Sequence, residues 1–257
     1  MNCFDLFDTP LERYIAEFKT RSDQLFVFQH VPKTAGSSVH VELDQIDDGF
    51  HWLGDNVEDH SWDKFQLLNE RKPFRLLRGH MKSHHLDRLD QAGTTYQTAS
   101  FLREPFQQTV SHFRYCHSEV CPNYEQYRAK YPSLTSFITD YLKPNFSTRY
   151  MIGDCDSSDE ALEKIGKRFE FVGLTEFYNT SMFVLMACLG REFHVKPRVN
   201  ITKSQRSVTE LLTDDICELI HRDFAIDLAV HDYFYKRFGN LSERVVEYFS
   251  QRRSQAA

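Results

Sequence analysis

Residues Phe26 to His40 read FVFQHVPKTAGSSVH, and this segment constrains the fold more than any other. Leu25 to His30 is a short, nearly unbroken apolar run, which predicts a buried strand. Pro32 and Gly36 break it, and Ser37 or Ser38 can cap a helix running to about Leu43. Strand, tight turn and helix in direct succession make a phosphate-binding corner. The first N–H groups of such a helix lack partners, and the helix dipole favours an anion there. Gly36, next to Ala35, allows close backbone approach. Thr34, Ser37 and Ser38 add hydroxyl donors, and Lys33 adds a mobile positive charge. The segment is not a Walker loop, G-x-x-x-x-G-K-S/T, because it has one glycine and the lysine precedes it. The plainer alternative is an ordinary strand–turn–helix with an exposed lysine.

The rest of the chain alternates in the same way. Strands are predicted at Phe74–Arg78, Tyr96–Leu102 and Phe171–Leu174. Helices are predicted at Leu11–Phe18, Phe106–His117, Ser133–Tyr141 and Asp159–Phe169, after the Phe171–Leu174 strand through Leu189, and again at Thr209–Phe224 and Val230–Phe238. Alternating strands and helices imply an α/β fold with a largely parallel sheet covered on both faces. Ligands of such sheets bind beyond the carboxyl ends of the strands. Three polar clusters fall there: residues 31–38, 79–85 and 103–111.

Length and charge narrow the function classes. A chain of 257 residues suits a single α/β domain spanning 1–257. A net charge of -6 argues against a nucleic-acid partner, while a local cluster of donors still suffices for an anionic cofactor. The six cysteines are scattered and most read as reduced thiols. Cys116, His117 and Cys121 lack a second ligand pair of standard spacing, so no metal is expected. The N-terminal MNCFDLFDTPLERY has acids and no apolar stretch, unlike a secretory signal. The longest apolar run, Met182–Leu189, falls short of the about 20 residues that a bilayer span needs. A cytoplasmic location is expected, with a trimmed lumenal domain as the alternative.

His30-Val-Pro-Lys-Thr-Ala-Gly-Ser-Ser38 resembles the 5′-phosphosulfate loop of sulfotransferases. The likeness is strongest to the carbohydrate branch that includes the heparan sulfate 2-O- and 6-O-sulfotransferases, which reads H-I/V-P-K-T-A/G-G-S/T-S/T. The segment Ala99–Tyr115, ASFLREPFQQTVSHFRY, resembles the family's 3′-phosphate motif, a strand ending in L-R-D/E-P before a helix with a serine. Arg103 and Ser111 match that arginine and serine, with Glu104 in place of the commoner aspartate. An arginine fork grips phosphate through two parallel bonds. A surface ion pair with Glu104 or a nearby acid is the alternative for Arg103.

The resemblance implies a P-loop-NTPase-like fold, three layers with a central parallel sheet. It also implies 3′-phosphoadenosine 5′-phosphosulfate (PAPS) as the sulfuryl donor and no metal. In several members a catalytic histidine follows a strand in the interval between the two motifs, and Gly79-His80 matches that position. Histidine, with a pKa of about 6.5, suits removal of an acceptor hydroxyl proton near neutrality. His84 and His85 are alternative bases in the same loop, and Glu42 or Asp44 are carboxylate alternatives. Lys33 and the helix start are placed to stabilise charge on the leaving oxygen of adenosine 3′,5′-bisphosphate (PAP).

Further downstream the likeness weakens. Asn145–Gly153 resembles the branch's N-x-x-T-R-x-L/M-x-G stretch and reads as cleft scaffold. Lys203 and Arg206, in NITKSQR, fall where the family often places a basic loop over the nucleotide, with a solvated charged loop as the alternative. The motif-bearing core spans about 25–205, followed by a helical part at about 207–250. The expected function is sulfuryl transfer to a hydroxyl of a saccharide or glycosylated small molecule, with Gly49–Asn69 as part of the acceptor surface. Two rivals are an ATP-dependent kinase with a degenerate loop and a non-catalytic nucleotide-binding protein on the same fold. Activity with ATP and Mg²⁺ would single out the first, and PAP binding without turnover the second.

Overall fold

The computed structural model describes residues 1–44, 46, 49–52, 58–71, 73–195 and 211–256. Five strands form one sheet: β1 (Leu25–Gln29), β2 (Gly49–Trp52), β3 (Leu76–Gly79), β4 (Tyr96–Leu102) and β5 (Phe171–Leu174). Their spatial order is β2-β3-β1-β4-β5, and every pairing is parallel. The first helices are α1 (Asp5–Asp8), α2 (Leu11–Lys19), α3 (Gly36–Leu43), α4 (Glu58–Arg71), α5 (Ser83–Gln91) and α6 (Pro105–Cys116). Then come α7 (Tyr124–Lys130), α8 (Leu134–Asp140), α9 (Phe146–Ile152), α10 (Ser158–Arg168) and α11 (Tyr178–Cys188). The chain closes with α12 (Asp214–Asp223) and α13 (Ala225–Ala256). This is the P-loop-like α/β architecture, a central parallel sheet flanked by helices.

Burial explains the strand order. β1 is buried at every position, as the central strand of a sheet covered on both faces must be. Phe28 and Phe101 meet edge to face at 6.1 Å across the β1–β4 pair. Beside Phe101 the β5 ladder position is Gly173. A Cβ there would come within 2.7 Å of the Phe101 ring, so the glycine makes room for a core aromatic. A second apolar cluster joins α6, α8 and α12 through Val110, Phe137 and Ile220.

Helices α4, α5, α7 and α9 lie outside the sequence expectation, α4 and α5 falling in stretches read as polar or loop, and two further elements also differ from it. Gly49–Trp52, read as part of a polar stretch, is the edge strand β2, paired with β3. Four residues with two apolar side chains carry too little pattern to announce a strand. The final helix runs through all of Ala225–Ala256, not only Val230–Phe238. Its buried Val230, Phe234, Phe238, Leu241 and Val245 recur at helical spacing and join the main core.

α13 also fixes the Asn145–Gly153 stretch. The buried Asp227 carboxylate accepts from the N–H groups of Ser147 at 3.0 Å and Thr148 at 2.8 Å, which caps α9. In return the Asn145 side chain accepts from the Ile226 N–H at 2.9 Å. Burial pushes the Asp227 carboxyl above its usual range, and its bonds to Thr148 and Ser147 pull the other way. The stretch is thus a docking joint between α9 and α13. No described helix is long and apolar enough to cross a membrane.

Candidate active site

Adjacent strands β3, β1 and β4 deliver the three polar clusters to one edge of the sheet. The loop after β1 is unusual. Lys33 and Ala35 both take positive φ, at 67° and 63°, although neither is glycine. Such backbone costs about 1–3 kcal/mol per residue and persists where the surroundings enforce it. Among the described residues no acceptor lies in hydrogen-bond geometry with the N–H groups of Lys33, Ala35, Gly36 and Ser37. Left-handed turns leading into a helix start make a concave nest of N–H groups suited to an anion.

The helix cap departs from expectation. Neither Ser37 nor Ser38 caps α3, which starts at Gly36 with Ala35 in the cap position and no side-chain bond. Ser37 is exposed at the loop rim. Ser38 lies against the Tyr178 phenol. Thr34 is fully buried, and its hydroxyl donates to the Val31 carbonyl at 2.8 Å, so it braces the turn.

β4 and α6 supply the second cluster. Arg103 Nη1 donates to the Lys33 carbonyl at 3.3 Å, which brings the two motifs expected to bind phosphate into direct contact. Glu104 caps α6, accepting from the N–H groups of Phe106 at 3.1 Å and Gln107 at 2.8 Å. The carboxylate that replaces aspartate therefore has a structural partner of its own, and it is not an ion-pair partner of Arg103. Ser111 lies two turns further along α6, half-buried. Gln108 ties α6 to the loop by donating to the Pro32 carbonyl at 2.8 Å, and it accepts from Ser147 Oγ at 2.6 Å.

His80 stands at the end of β3 beside this loop. Its Nδ1 lies 3.0 Å from the His30 carbonyl oxygen. A carbonyl can only accept, so Nδ1 carries the proton and the ring's lone pair is on Nε2. The His80 and His30 rings stack with centroids 4.1 Å apart. His30 Nδ1 in turn faces His40 Nε2 at 3.2 Å. The expected reason for Gly36 was approach of a ligand, but a Cβ there would meet the His30 ring at 1.8 Å. The glycine first of all makes room for His30.

The alternative bases are otherwise engaged or differently placed. His85 is buried, and its Nδ1 accepts from the Lys82 N–H at 2.9 Å at the start of α5. His84 is exposed and packs against His85 with centroids 4.0 Å apart. Asp44 pairs with Arg78. Glu42 is buried on α3, close enough to Tyr178 to help push that phenol's pKa up, after the larger effect of burial. Lys203 and Arg206 lie outside the described residues. Cys116 and Cys121 are free and buried, and both His117 nitrogens face backbone carbonyls, of Phe113 and Tyr131.

Two residues beside the loop carried no signal in the sequence. Tyr115 lies under the Lys33 ammonium, 4.1 Å from ring centroid to Nζ. Burial lowers the Lys33 pKa, and the neighbouring Arg103 charge adds to the effect. His112, the residue after Ser111, is pushed down to about 3 by burial, with Lys33 and His80 contributing. As one of twelve histidines, nothing in its sequence context marked it.

Taken together, the chain is a P-loop-like α/β fold with an N–H nest after its central strand and basic groups after the strands on either side. The crystal structure of mouse sulfotransferase SULT7A1 complexed with PAP matches the chain with a TM-score of 0.50, covering 90% of this chain and 95% of that one, at 14% sequence identity. The two proteins share a fold. No protein-family model matches the sequence, and no curated protein matches it significantly.

Proposed function

We propose that the protein transfers a sulfuryl group from PAPS to a hydroxyl of a saccharide or glycosylated small molecule. The observation that carries this reading is the hydrogen bond from Arg103 to the Lys33 carbonyl, beside a His80 whose lone pair is held on Nε2. It joins an N–H nest, an arginine and a histidine at one sheet edge, which this reading takes as the 5′-side cradle, the 3′-side clamp and the base. That the mouse neighbour was solved with PAP supports the same nucleotide here.

In this reading the N–H groups from Lys33 to Ser37, with Ser38, hold the 5′-phosphosulfate. Arg103 and Ser111 hold the 3′-phosphate, and Lys203 and Arg206 join them on sequence grounds alone. The acceptor oxygen attacks sulfur in line while His80 Nε2 takes its proton. The sulfur–oxygen bond to the 5′-phosphate breaks, and PAP leaves with its new charge facing Lys33 and the nest. The resemblance of residues 30–38 to the carbohydrate branch of the sulfotransferases motivates a saccharide acceptor.

The test is incubation with sulfur-35-labelled PAPS and a panel of mono- and oligosaccharides and glycosides, with no metal added. Label transfer that is lost in His80→Ala supports the proposal. Phosphoryl transfer from ATP, with no release of PAP from PAPS, would overturn it.

A further inference from the structure

His112 has no part in the reading above, yet its setting is that of a ligand-binding group. It lies one helical turn after Gln108 on α6, so the two share a face. Gln108 anchors that face to the phosphate loop through the Pro32 carbonyl. The residue is only 8% exposed. Phe137, Tyr141 and Phe146 surround its ring, with centroids at 5.5, 5.8 and 5.5 Å. Among the described residues neither ring nitrogen has a hydrogen-bond partner, and neither is sealed from solvent. The apolar part of the imidazole is therefore packed away while its nitrogen edge stays open. Polar groups in such nearly buried settings find partners, in ordered water or in a bound ligand, so an open edge of this kind can receive a ligand atom. Gln108, four residues before it, touches Pro32, and Tyr115, three residues after it, lies under Lys33, so His112 sits on the α6 face turned to the phosphate loop. The nearby Lys33 and His80 also weigh against a positive charge on its ring.

We propose that His112 donates an N–H to a non-bridging oxygen of the sulfuryl group, between the lysine that serves the leaving oxygen and the histidine that serves the acceptor. This rests on the sulfotransferase reading and adds a residue to it. Burial holds the imidazole uncharged well below neutral pH, at about 3. It therefore acts as a fixed dipole and leaves proton transfer to His80. A preorganised neutral donor of this kind stabilises charge on the migrating group without reorganising.

Binding tests the idea without knowledge of the acceptor. Calorimetric titrations with PAPS and with PAP would be run on the wild type, His112→Phe and His112→Gln. Phenylalanine fits the aromatic box but cannot donate; glutamine keeps an N–H. We expect His112→Phe to weaken PAPS about 3- to 10-fold and leave PAP unchanged, and His112→Gln to restore much of the loss. Equal changes for the two nucleotides, or none for either, would overturn the role, since PAP lacks the sulfuryl group. Failure of the wild type to bind either nucleotide would sink the donor reading itself, and this inference with it. Thermal melts of the three proteins separate a folding defect from a lost contact.

Discussion

His80 and His30 are coupled through the backbone: His80 Nδ1 donates to the His30 carbonyl at 3.0 Å, with the two rings stacked at 4.1 Å. The bond fixes the tautomer that a base needs and links it to the strand that carries the phosphate loop. His80→Ala is expected to lower turnover about 100-fold or more while leaving PAP affinity within about 2-fold. Parallel kinetics and calorimetry check this. A proportionate loss of PAP binding would make His80 a nucleotide contact instead.

Lys33 and Arg103 touch through backbone, yet their substitutions should separate. Lys33→Ala is expected to cut turnover about 100-fold with a smaller effect on PAP binding, because the charge matters most as the leaving oxygen develops. Arg103→Ala should chiefly weaken PAP, by about 1.5–3 kcal/mol for a charged hydrogen bond. Burial lowers the Lys33 pKa, so its ammonium is lost at lower pH than that of a free lysine. Turnover should therefore decline on the alkaline side before pH 10.5, and Lys33→Arg should move that limb upward. Equal, negligible effects of both alanine variants would overturn the site assignment.

Gly36→Ala tests the packing of the loop. The new Cβ would lie 1.8 Å from His30 Nε2, so the imidazole or the loop must move. We expect about 1–3 kcal/mol of destabilisation, read from denaturant melts, with a loss of PAP affinity. A variant as stable as the wild type would show that His30 has another place to go.

His112 has a pH signature. Its folded pKa of about 3 lies below the about 6.5 of an unfolded histidine, so between these values only the unfolded chain binds the proton. Stability therefore falls as pH falls through this interval. From pH 7 to pH 4.5 the contribution of this one group is about 2–3 kcal/mol. His112→Phe lacks that proton and should lose correspondingly less stability over the same range. Identical acid-side losses would contradict the buried, uncharged ring.

Asp227 predicts a purely structural effect. Asp227→Ala removes the acceptor for the Ser147 and Thr148 N–H groups and leaves them buried. About 2–3 kcal/mol or more of stability should go, measured by denaturant unfolding. PAP affinity measured on the folded fraction should change little.

Much of the fold was legible because parallel strands buried on both faces appear as short apolar runs. Tyr96–Leu102 and Phe171–Leu174 match β4 and β5 residue for residue. β2 escaped because an edge strand needs little apolar pattern. α13 was cut short because its polar positions and Gly239 interrupt the run, although its buried stripe continues to Tyr248. At the site, the order and approximate placement of Lys33, His80 and Arg103 could be read, because each follows a strand. Which hydroxyls remain available could not. Thr34 turns inward and Glu104 caps a helix, choices made by three-dimensional neighbours such as Val31 and Gln107. His112 was illegible for the same reason: its surroundings come from α8 and α9, well separated in sequence.

The most direct test of the central claim is calorimetric titration of the purified protein with PAP, with AMP as the control and no metal added. The account predicts that PAP binds at least about 10-fold tighter than AMP, because only PAP presents a 3′-phosphate to Arg103 and Ser111. Equal affinities for the two nucleotides, or no binding of PAP, would contradict it.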